Sequence, residues 1–496
     1  MFFVKTLTVL LFTLVFNVSP LFGQITDARG PSRGVAPTIV DLRHLPRARP
    51  AAGAVFQRPI GYRISAQHVE DLKHRGPPFP TGGTQINVDP TSPTAPTAGG
   101  GFNALGQNGW IPYDAAIAVS SNYVAAMTNS QVAAYNKFGA LVLGPINFAS
   151  LWGTTAGTPF DPKCFYDANQ GRFVVMATSE GNGLSNIYLT VVNPSPFTVY
   201  TYSLDARLDG TTLTNTWADF PGLGYDDNFI YIGTNQFSFN SNSFQYAKVR
   251  VLPKAALYAG GPATWTDFAE LRNADGTKAF APKPARTLGS SSSGYLLNTR
   301  DSGGSSVTLW RIDNDANGPV LTRTGTVAIG NYGIPPDAAQ PGTSKLISTG
   351  DCRTQDCVWQ NGTLFTGFTE KYFSVAAIRY LAINTQTSTA ERDITWTAPG
   401  ISMYYPAASA DTNGNMAMVY SRSSSTEYAS LYYTGMTTTD ASIEPSAQIV
   451  GGIAPNTSGR WGDYSGIANS ENVFWFYGGW ANSGNQWATW VQSASF

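Results

Sequence analysis

The sequence predicts an all-β chain folded as a single β-propeller. Three observations carry this. Of 496 residues only 13% are charged, and aromatic residues equal them at 13%. Glu and Lys together number 18 (8 Glu and 10 Lys), too few to coat the exposed faces of long helices. The body of the chain also breaks into similar runs of short, alternating strands separated by turn residues. The 50 Gly and 31 Pro residues fit many turns and few helices. A formal net charge of -1 removes any general attraction to nucleic acid or to an anionic membrane.

Residues 1–23 read as a secretory signal peptide. Lys5 is the basic start, Leu7 to Val18 the apolar stretch, and Pro20 and Gly23 the break before cleavage. The expected mature chain starts near Gln24 and is secreted. No later stretch reaches the length of apolar residues that a membrane span needs.

Residues 24–104 form a Pro-rich leader. Pro occurs 11 times between Pro31 and Pro96, and all three His residues (His44, His68, His74) lie here. The runs around Pro77, Pro78 and Pro80, and from Pro90 to Pro96, are expected to be an extended spacer. Within it Gln85–Val88 has the alternation of a strand that could dock on the body.

Residues 105–496 form the propeller. The first unit contains four strand-like runs, at 114–119, 123–127, 131–135 and 141–143. Later units start near Asp161, Asp219, Pro284, Asp351, Pro406 and Asp463, at spacings of 47, 58, 65, 67, 55 and 57 residues. Seven four-stranded blades with inserted loops fit this period. Six blades, or a pair of two-sheet sandwiches, are the alternatives. The last unit has room for only about three strands. An N-terminal strand from before Trp110 is therefore expected to close the ring.

The strongest internal match pairs Trp217-Ala218-Asp219-Phe220-Pro221-Gly222 with Trp461-Gly462-Asp463-Tyr464-Ser465-Gly466. Phe160-Asp161 and Tyr113-Asp114 are shorter versions of it. With Arg460 and the run to Asp226, these motifs resemble a group of secreted bacterial β-propeller proteins of uncharacterised activity. Their blade design is similar to that of the sialidase-like superfamily. The resemblance covers about residues 105–496 and implies fold and export more than activity. The Asp-box turns of true sialidases have no counterpart in register here; Asp301 to Trp310 comes nearest. Nor can an arginine triad be placed.

If each unit starts on the strand nearest the axis, Asp114, Asp161, Asp219, Asp351 and Asp463 converge at one mouth of the channel. Such carboxylates could form an acid–base pair on a glycosidic bond, hold Ca²⁺, or accept backbone bonds in their own turns. The repetition favours the structural use. In a glycosidase, Asp219 and Asp463 would be the catalytic carboxylates and Glu370 the general acid, although Glu370 also fits a surface pair with Lys371. Arg353, Arg460 and Arg286 could partner the acids or grip an anionic ligand. With no His in residues 75–496, a Ser–His hydrolase is disfavoured.

Asp313, Asp315 and Asn317, before Gly318, fit the start of a calcium loop, and Asp411 to Asn415 is a weaker relative. Tight turns use the same residues. Cys352 and Cys357 are spaced for a small disulfide, and Cys164 reads as a buried thiol. The last unit is rich in aromatics, of which Trp480 is expected to be exposed and available to a sugar face. The sequence therefore favours an extracellular recognition module that binds a glycan or a protein at one mouth. A carbohydrate-active hydrolase and a structural surface protein are the alternatives.

Overall fold

The computed structural model describes residues 28–29, 34–48, 56–75, 80–89, 96–153, 156–195, 197–483 and 486–496. The stretch expected to be a signal peptide and most of the Pro-rich runs lie outside the described residues. The chain is all-β, 57% strand and 5% helix, and forms a β-propeller. Among the described residues no helix is long and apolar enough to cross a membrane.

The strands that start the units are Ala116–Val119, Phe160–Asp167, Thr216–Tyr225, Lys283–Pro284, Asp356–Gln360, Ile401–Ala410 and Gly466–Ser470. Each is followed by antiparallel neighbours running outward. Nearly all of these starting strands are buried along their length, as expected where sheets pack face to face around an axis. Apolar clusters fill the spaces between neighbouring sheets; one joins Phe165, Leu189 and Ile232, another Tyr380, Met403 and Met418.

Five sheets of four or five strands stand as separate blades. That differs from the seven, or six, expected. The cause lies near the axis. The start of the fourth unit is split at Ala285. Lys283–Pro284 pairs within its own sheet, whereas Arg286–Thr287 bridges in parallel between Tyr225 on one side and Val358 on the other. Two antiparallel runs, 216–268 and 356–397, are thereby fused into one eleven-stranded sheet.

The units are latched by a recurring contact. A non-Gly residue in the left-handed region lies in or just before several inner strands: Asp161 (φ 54), Ala281 (φ 50) and Tyr405 (φ 54). Its backbone N–H donates to a side chain of the preceding unit, namely Asn129, Asn235 and Thr369 respectively, at 2.7, 2.8 and 3.0 Å. A β-bulge follows in the second, third and sixth units. The ring closes on itself where the Asp463 N–H donates to Asp114 Oδ1 at 2.7 Å.

The N-terminal strand Thr97–Gly106 pairs antiparallel with the final strand Trp487–Ser495 and completes the last sheet. The rest of the described leader is bound to the body as well, so its expected role as a mere spacer does not hold. Ala28–Arg29 extends the sheet edge at Asp267 and Phe268, Thr38–Asp41 pairs with residues 198–201, and Gln85–Val88 pairs with residues 394–397. These contacts cover outer edges that would otherwise present unpaired backbone groups.

Candidate functional site

The axis has two unlike mouths. The first is where the inner strands start, and there four predicted acids crowd together. Their partners differ from one to the next, because the ring is not symmetric in side chains. Asp114 accepts from Asn129 Nδ2 at 2.6 Å as well as from the Asp463 N–H. Asp161 accepts from the Tyr464 hydroxyl at 3.2 Å. Asp463 is held by both terminal nitrogens of Arg460, at 2.6 and 2.5 Å. Asp219 lies 3.4 Å from Arg58 Nη2. Asp351 stands further round and is gripped by Arg353 through two bonds of 2.7 Å. Only Asp351 also accepts a backbone N–H from its own turn, that of Arg353, so the expected local capping applies to it alone.

Burial and like charge separate these acids. Burial, with Asp463 and Asp161 nearby, pushes the Asp114 carboxyl well above the ordinary range. Burial, with Asp219 and Asp463 nearby, raises Asp161 to about 6. Burial acts upward on Asp463 too, but the Arg460 guanidinium outweighs it and lowers the group.

This mouth is capped by the leader. Phe56–Gln57 pairs in parallel with Trp110–Ile111, and the chain then crosses the acids. The Arg58 guanidinium lies 3.4 Å from the Phe160 ring centre. Its carbonyl accepts from Arg460 Nε at 3.0 Å, and that of Gly61 from Arg353 Nη2 at 2.7 Å. Arg460 and Arg353 thus hold acid and leader together rather than an open anion site. Gly61 lets the chain pass close to the acids: a Cβ there would meet Asp219 Oδ2 at 2.5 Å and the Phe237 ring at 3.0 Å, so a side chain would have to shift. Arg63 binds Asp301 at 2.7 Å, and the helix Ala66–Arg75 docks through buried Val69 and through Lys73, 2.6 Å from Asp337.

Other predicted residues lie elsewhere. Glu370 is fully buried within the fifth unit, held by Arg379 at 2.7 Å and by Thr395 at 2.6 Å. That replaces the expected surface pair with Lys371 and leaves no cleft beside it. Cys352 and Cys357 are buried free thiols, as is Cys164, so the expected disulfide is absent. Residue spacing alone does not bring sulfurs together, and here a strand begins between the two. Trp480 is half-buried rather than exposed, with its Nε1 shielded and without a partner among the described residues. Asp313 accepts from Ser293 and Arg311, and Asp315 caps the Asn317 N–H at 2.7 Å. Among the described residues no group of three or more His, Cys, Asp and Glu is gathered to hold a metal.

The second mouth, where the inner strands end, was not anticipated. It opens into a cavity of about 340 Å³ lined by Ser121, Tyr166, Asn169, Tyr225, Thr412 and Asn469. Its one carboxylate is Glu471. The Asn469 amide nitrogen is buried and without a partner among the described residues. No residue type flags these positions in the sequence, because Asn, Ser and Thr at strand ends read as turn chemistry.

No family model matches the chain, and no curated protein matches it. Solved structures are similar to it at low identity. An ancestral GH74 enzyme is 12% identical with a TM-score of 0.45, covering 84% of this chain and 51% of that one. A Trypanosoma rangeli sialidase in complex with sialic acid is 12% identical with a TM-score of 0.39, covering 73% of this chain and 57% of that one. A GH43 endo-arabinanase from Bacillus licheniformis is 14% identical with a TM-score of 0.29, covering 59% of this chain and all of that one. The chain thus spans little more than half the length of the first two.

Proposed function

We propose that the chain is an extracellular recognition module that binds a neutral glycan at the open mouth. The observation that carries this is the division of labour between the mouths. The clustered carboxylates have partners and lie beneath the leader, whereas the accessible cavity offers amides, hydroxyls and tyrosines with Glu471 as its one acid. Glycoside hydrolysis needs two carboxylates facing each other across the bond, and the open mouth supplies one. Hydroxyl and amide groups with an aromatic wall are what a sugar's hydroxyls and apolar face require. The unpartnered Asn469 amide fits a ligand oxygen.

The test is a glycan-array screen run beside a polysaccharide-hydrolysis screen, on the parent chain and on Asn469→Ala, Tyr166→Ala and Asp219→Asn. Binding that weakens about tenfold or more in the first two variants and persists in the third is the expected result. Turnover abolished by Asp219→Asn would move the function to the capped mouth and to hydrolysis. Absence of any glycan binding would refute the reading.

A further inference from the structure

Between the two mouths the channel narrows to a polar cavity with about 30 Å³ open to water. Its wall carries Lys163, Lys283 and Arg286, against the single carboxylate of Asp356. Asp356 is already bound to Arg286 Nη2 at 2.6 Å. The Arg286 Nη1 donates to the Ile467 carbonyl at 2.8 Å, which leaves Nε. That Nε is buried and has no partner among the described residues, and the same is true of the Ser465 hydroxyl and of Gln355 Oε1. All three residues are at least nine-tenths buried and line the cavity. Lys163 makes no ion pair or hydrogen bond among the described residues; its ammonium stands 3.0 Å from the Tyr464 ring centre. Lys283 is anchored to the Pro221 carbonyl at 2.8 Å.

We propose that this cavity binds one small anion, of halide or carboxylate size, held by Lys163, Arg286 Nε and the Ser465 hydroxyl. A buried donor without an acceptor is costly, and the cavity wall itself sets three cations against one carboxylate. One anion resolves both at once. Burial lowers Lys163 to about 8 despite the upward pull of Asp356, Asp161 and Asp114, and carries Lys283 well below its ordinary range with Lys163 as the next cause; an anion between them would raise both. Access is from the open mouth. A second constriction lined by Arg286, Tyr166, Tyr225 and Asn469 shares lining residues with both cavities and so lies between them. This inference does not depend on the glycan reading.

Thermal unfolding of the full chain is measured at fixed ionic strength while sodium gluconate, too large for the cavity, is replaced by bromide or by formate. The expected result is a rise of about 1–2 °C for each tenfold increase of the small anion above half-saturation. Lys163→Met and Ser465→Ala should each abolish the dependence while keeping the far-UV circular dichroism of the parent. A response to bromide alone assigns a spherical anion, and a response to formate alone a carboxylate. Crystals soaked in bromide or formate read the same site without a variant, through density beside Arg286 and Ser465. Equal melting in all three salts with only water in the channel would overturn the proposal.

Discussion

The two mouths of the channel are built from opposite ends of the same inner strands, and they differ in almost every respect. At the capped mouth ionisable groups dominate: acids and arginines are interlocked and the leader lies across them. At the open mouth neutral amides and hydroxyls dominate, and at least one is left without a partner. A dense cluster of carboxylates is therefore not in itself a site. The acids at the capped mouth each have a partner within the protein, whereas the open mouth holds a single carboxylate among amides and hydroxyls.

The largest effect should come from removing what covers the first mouth. A chain starting at Gly109 loses the strand Thr97–Gly106, the crossing at Arg58 to Arg63 and the helix Ala66–Arg75. A stability loss above about 5 kcal/mol is expected, enough to abolish a cooperative melt. If that chain melts like the parent, the cap is decoration. Next, Arg460→Met strands the buried Asp463 carboxylate and frees the leader carbonyl of Arg58. Denaturant unfolding should show a loss of about 3–5 kcal/mol; a loss below about 1 kcal/mol would mean that the pair does not hold this mouth.

The third effect is smaller and depends on pH. Asp161 has a folded pKa of about 6, above the ordinary 3.8. The native state therefore binds more protons between these values, and this group's contribution to stability declines as pH rises through that window. Asp161→Asn removes the ionisation. It should match the parent near pH 4 and exceed it by about 1–3 kcal/mol at pH 8. A variant less stable than the parent at pH 8 would show that the ionised carboxylate is used. The smallest effect belongs to the open mouth. Asn469→Ala should change stability by less than about 0.5 kcal/mol, since its amide nitrogen makes no bond to lose. A larger loss would mean that this residue serves the fold.

The propeller itself was legible, because alternation and the repeated Trp-small-Asp-aromatic motif are local signals. Ring closure was legible by counting strands: the last unit was one short, and Thr97–Gly106 supplies it. The convergence of Asp114, Asp161, Asp219 and Asp463 followed from placing each at the start of an inner strand. Their partners did not follow. Arg58 meets Asp219 across 161 residues, and a Pro-rich segment carries no periodicity that marks where it will lie. The blade count failed at Arg286–Thr287, two residues whose parallel bridging depends on how closely neighbouring strands approach the axis. The latch residues Asn129 and Asn235 were missed because a lone Asn at the end of a strand reads as a turn.

The leader also sets an order of assembly. Residues 28–29, 38–41 and 97–106 leave the ribosome before any part of the propeller, yet their partners lie at 267–268, 198–201 and 488–495. Residues 28–29 and 38–41 wait for partners in the third and second units, and Thr97–Gly106 stays unpaired until the last strand exists. Folding of this chain is governed by contacts at nearly the greatest sequence separation it offers, and such topologies fold slowly. Until their partners are made, these edge-protecting segments are unprotected strands themselves, and Thr97–Gly106 stays so until the final ten residues arrive.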